Sequence, residues 1–63
     1  MSFEAKTIRT TQLVSVRFPP KSVAKGRKIE VWDEQQGWGL VDVLIEGKLE
    51  TGEMKSDDYR RVP

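Results

Sequence analysis

Two stretches with a β-branched residue at every second position constrain this chain more than anything else in it. Across Arg27–Asp33 and Trp38–Glu46, aliphatic residues recur at every second position: Ile29 and Val31, then Val41, Val43 and Ile45. A period of two is the pattern of a strand with one buried face. The DEQQG segment between them reads as a five-residue hairpin loop, Asp33 to Gly37, with glycine where a left-handed conformation is often required. Placing Trp32 opposite Trp38 sets Val31 against Gly39, Glu30 against Leu40 and Ile29 against Val41. The odd aliphatic set then faces a core, and Trp32, Trp38, Leu40 and Leu44 share the other face with Glu30 and Asp42. A one-residue slip would mix the two sets, so the pattern itself specifies a register.

The rest of the chain reads as further β-structure. Leu13–Phe18 (LVSVRF) is expected as a strand with Val14, Val16 and Phe18 on one face and Leu13, Ser15 and Arg17 on the other. Pro19-Pro20 ends it, because proline cannot donate to a ladder. Thr7–Thr11 is expected as an edge strand or an arm, and PPKSVAKGRK as a basic loop. Glu46-Gly47-Lys48 reads as a second turn, and Leu49–Met54 as a strand interrupted at Gly52. Ser56 is placed to cap one helical turn, and Arg60–Val62 closes the chain as a short strand. Residues 1–5 are expected as a flexible N-terminus and residues 6–63 as a single domain.

The length decides how much chemistry such a domain can host. Sixty-three residues support one modest core and no deep substrate cavity. The chain has no cysteine and no histidine. That removes thiolate zinc sites and disulfides, the commonest general base and the commonest metal ligand. Ser15, Ser22 and Ser56 therefore lack an activating imidazole, and Lys25-Gly26-Arg27-Lys28 lacks the spacing of a phosphate-binding loop. The expectation is a non-enzymatic protein with no cofactor and no metal. No apolar run nears the roughly 20 residues of a membrane span, so no membrane association and a cytoplasmic location are expected.

The segment Gly52-Glu53-Met54-Lys55-Ser56-Asp57-Asp58-Tyr59 resembles the ending of SH3 domains: glycine, an apolar residue, serine, then tyrosine on a one-turn helix before the last strand. KGRKIEVWD followed by GWGLVDV is similar to Tudor-type and retroviral integrase-type barrels. The acidic segment of SH3 domains has no counterpart, since residues 13–18 read LVSVRF. The resemblance, over residues 25–62, is to the SH3-like superfamily of small barrels. It implies an all-β fold: a five-stranded SH3-like barrel with a single helical turn near the C-terminus.

Two kinds of partner remain. The net charge of +1 conceals a division, for Met1–Lys28 carries +6 and the remainder −5. Arg17, Lys21, Lys25, Arg27 and Lys28 could contact DNA or RNA phosphates while Trp32 or Trp38 stacks on a base. In the other reading, Trp32, Trp38, Leu40, Leu44 and Tyr59 form an aromatic docking face for a protein partner or a second copy of the chain. A near-neutral domain is less basic than dedicated nucleic-acid binders, so protein docking is the first expectation and nucleic-acid binding the alternative.

Overall fold

The computed structural model describes the whole chain, Met1 to Pro63. It is all-β apart from one turn of 3-10 helix. Seven strands follow in order: β1 (Phe3–Thr7), β2 (Thr11–Leu13), β3 (Lys21–Val23), β4 (Lys28–Gln35), β5 (Trp38–Ile45), β6 (Lys48–Lys55) and β7 (Tyr59–Arg61). The 3-10 turn, Ser56–Asp58, precedes β7. Five strands form an antiparallel sheet in the order β6-β5-β4-β1-β7, and β2 and β3 form a separate hairpin. The backbone tie between hairpin and sheet lies just beyond β2, where Val14 and Glu53 exchange both backbone hydrogen bonds. No helix is long and apolar enough to cross a membrane.

The core is the inner side of this arrangement. Ala5, Leu13, Val23, Ile29, Val31, Val41, Val43, Met54 and Tyr59 are buried in one cluster, with Phe3, Phe18 and Ile45 packed at its edge. The odd aliphatic positions of β4 and β5 thus face inward. The register that achieves this differs from the sequence expectation. Pairing begins at Gln35 opposite Trp38, across a two-residue turn, and a bulge at Trp32 intervenes before Val31 meets Val41. Without the extra residue, Val31 would oppose Asp42; with it, two inward valines oppose each other. The bulge therefore restores the parity that the shorter turn would have broken.

Both tight turns of the meander use the same device. Gln36-Gly37 has φ values of 53° and 85°, and Glu46-Gly47 has 51° and 80°. Two successive positive φ values define the type I′ turn, whose twist matches that of the flanking strands. Glutamine and glutamate are unusual in the first position, so the turn signal in the sequence was the glycine alone.

Three expectations for the flanking segments are corrected. The N-terminus is not a flexible arm from residue 1 to 5: Phe3–Thr7 is β1, paired with β4 on one side and β7 on the other, with Ala5 fully buried. The strand expected over Leu13–Phe18 ends at Val14, and Leu13 rather than Val16 points into the core; Val16 is fully exposed. Here the chain leaves the sheet through a turn in which the Ser15 hydroxyl accepts the Arg17 amide. Gly52 does not interrupt β6. A Cβ there would lie 2.6 Å from the Val14 carbonyl oxygen and 2.9 Å from the Leu13 side chain, so its bareness lets the β2 hairpin seat on the sheet.

Candidate interaction face

The outer side of β4–β5–β6 carries side chains in cross-strand rows. Gln35, Trp38 and Lys55 form one row. Asp33, Leu40 and Glu53 form the next, extended by Val14. Glu30, Asp42 and Thr51 follow, then Leu44 beside Leu49. Five of the seven large exposed hydrophobics of the protein lie here: Trp32, Trp38, Leu40, Leu44 and Leu49. Single exposed apolar residues need no explanation, but a set gathered on one side does.

Trp32 and Trp38 do not form the cross-strand pair expected of them. The two-residue turn places Trp38 opposite Gln35, while Trp32 is the bulged residue. The Trp32 indole N–H donates to the Asp42 carboxylate at 2.8 Å, and the Thr51 hydroxyl donates to the other oxygen of that carboxylate. Both oxygens of the Asp42 carboxylate thus have a donor from a neighbouring strand.

Trp38, 38% exposed, stands between two open hollows. One, about 360 Å³, is lined by Trp38, Leu40 and Val14 with Asp33, Gln35, Gln36 and Glu53 around them. The other, about 330 Å³, shares Trp38 and Val14 and adds Thr10, Thr11, Gln12, Lys55 and Asp58. Apolar residues make the shared wall, and carboxylates outnumber the one lysine. Asp58 accepts from the Thr11 hydroxyl at 2.6 Å and pairs with Arg9 at 2.8 Å. The Thr11 and Arg9 hydrogen bonds, opposed by partial burial, hold its carboxyl below the usual aspartate range.

Tyr59 is not part of this face. It is buried, and its hydroxyl donates to the Glu34 carboxylate. Burial first, and the Glu34 carboxylate second, push its phenol far above the usual tyrosine range. Its ring passes over Gly39, where a Cβ would fall within 2.2 Å of the phenolic oxygen. The expectation failed because the 3-10 turn redirects the chain from β6 to the edge of β1 just before Tyr59, and that side chain is buried there.

The five basic residues picked from the sequence do not form one patch. Lys21 pairs with Glu50 at 2.6 Å and lies 4.5 Å above the Phe18 ring. That hydrogen bond is the main reason the Glu50 carboxyl lies below its usual range. The Arg27 guanidinium donates to the Leu44 carbonyl. Lys28 lies beside Leu44 and Leu49, in a hollow with Glu4, Glu30 and Asp42. Arg17 and Lys25 are exposed. The residues missed in the sequence were Val14, Asp33, Leu49, Glu53 and Lys55. The alternation of β6 could have found the last three, had Gly52 not been taken as a break.

No group of three or more carboxylate, thiol or imidazole side chains is placed to hold a metal ion. No family model matches the chain, and neither a curated protein nor a solved structure matches it.

Proposed function

We propose that this chain is an SH3-like small barrel acting as a non-enzymatic docking module, which takes an extended segment of a protein partner across Trp38. The observation that carries the reading is Trp38 itself: a partly exposed indole set between two adjoining hollows, on the side of the sheet away from the core. Tryptophan in such a setting supplies large apolar area and a polar handle. Support for the barrel comes from the strand order β6-β5-β4-β1-β7, the hairpin inserted between β1 and β4, and the 3-10 turn before the last strand. The chemistry of the walls indicates the ligand. An apolar side chain fits against Leu40 and Val14, and a lysine or arginine of the segment faces Asp33 and Glu53.

The test reads the anisotropy of labelled peptides pairing apolar and basic residues, beside the intrinsic tryptophan fluorescence of the protein. Trp38→Ala should weaken the best binder at least about tenfold, roughly 1.4 kcal/mol, with little change in the urea midpoint. Fluorescence that instead shifts with protein concentration, together with a concentration-dependent sedimentation coefficient, would assign the face to a second copy of the chain. A Trp38→Ala variant that only unfolds, with no separable binding defect, removes the reading.

A further inference from the structure

The register of the central strands gathers three cations that lie far apart in the sequence. Lys6 on β1 opposes Lys28 on β4 and, on its other side, Arg60 on β7. All three are exposed. Directly opposed like charges destabilise a sheet, and here they occupy three adjacent strands in one straight row. The ion pairs of the protein are Arg9–Asp58 and Lys21–Glu50, so none of the three cations has a carboxylate partner. The adjoining row has the opposite sign: Glu4 opposes Glu30, which opposes Asp42. The outer side of the sheet thus presents a stripe of positive charge one residue wide, bordered by a stripe of acids.

We infer that the Lys6–Lys28–Arg60 row is a site for the phosphodiester backbone of a nucleic-acid strand. Strands lie about 4.8 Å apart, so the row spans roughly 10 Å, a length on which a linear polyanion can lie. A flat anionic surface would meet the acidic row as well, whereas a single phosphate track need not. No aromatic side chain borders the three cations in the row, so the contact is to backbone charge and not to base identity. The row lies about 20 Å along β4 from Gln35, the residue opposite Trp38, at the β-strand rise. It is therefore separate from the Trp38 hollows proposed to take the peptide, meeting the outer face only where Lys28 lies beside Leu44 and Leu49, and either can fail alone.

The experiment measures binding of a labelled oligothymidylate by fluorescence anisotropy at several salt concentrations. Three phosphate contacts to a single strand predict a log–log salt slope of about −2, or about 20-fold weaker binding between roughly 50 and 200 mM salt. Lys6→Gln should flatten the slope by about 0.7. The same variant should keep or raise the urea midpoint, since it relieves the repulsion in the row. The triple variant Lys6→Gln, Lys28→Gln, Arg60→Gln should abolish binding, while Arg17→Gln with Lys48→Gln should leave it within about twofold if the site is local. Absence of saturable binding at low salt overturns the proposal. So does an equal loss in the Arg17 and Lys48 variant, which would mean adsorption by overall charge. So would vesicles of phosphatidylserine that bind through the same row while the oligothymidylate does not.

Discussion

The two sides of the β4–β5–β6 sheet are built from the same strands and do opposite things. Inward, Val31, Val41, Val43 and Met54 close against Leu13 and Val23 of the hairpin, and the polar side chains buried with them are tied down: Thr7 donates to the Ala24 carbonyl, Thr11 to Asp58 and Tyr59 to Glu34. Outward, Trp38, Leu40, Leu44 and Leu49 stand beside Asp33, Asp42, Glu53 and Lys55 in solvent. The inner side has its complement within the chain. The outer side has apolar area with no complement in the chain, and that difference separates residues that hold the fold from residues left in solvent.

A pair of leucines can break this comparison. Leu13→Ala should cost about 2–5 kcal/mol, because a fully buried side chain is lost and a cavity is left under β6. That is a large part of the stability of so small a domain, and urea or thermal melts will read it directly. A negligible shift would mean that the β2–β3 hairpin contributes no core.

A smaller effect sharpens the comparison at the edge of the outer face. Asp58 joins the 3-10 turn to Thr11 and Arg9. Its folded pKa is depressed, so its stabilising contribution is present above the unfolded value and is lost as pH falls through the folded one. Asp58→Asn should therefore cost about 1 kcal/mol at neutral pH. The gap from the parent should close as pH drops below about 4, the ordinary aspartate value. A gap independent of pH would show that amide geometry, not charge, matters there.

The smallest effect is the counterpart to Leu13. Leu44→Ala removes the same atoms from the outer face and should change the melting midpoint by no more than about 0.5 kcal/mol equivalent. A loss comparable to that of Leu13→Ala would mean that the outer face is packed and not free.

How far the fold was legible follows local pattern strength. The alternation through Ile29, Val31, Val41, Val43 and Ile45 marks inner and outer faces without reference to any other part of the chain. The proportion of charged residues and the absence of histidine likewise restrict chemistry before folding. β1 was harder to see because FEAKT offers only Phe3 and Ala5 as apolar residues, and its burial depends on sitting between β4 and β7. The same holds for the candidate sites. Trp32, Trp38, Leu40 and Leu44 fell on the outer face by parity alone, whereas Tyr59 was misplaced because its direction is set by a turn that follows β6.

Periodicity along the chain is therefore enough for the β class and for the two faces of the central hairpin. The pairing between distant segments belongs to the assembled fold. It chose the bulge at Trp32, set Gly52 beneath Val14, separated Lys21 from Lys28, and aligned Lys6, Lys28 and Arg60. The physical reason is that a side chain's face is fixed by its immediate neighbours, with a period of two. Its cross-strand partners depend on turn length and strand order, and a change of one residue in either moves every partner.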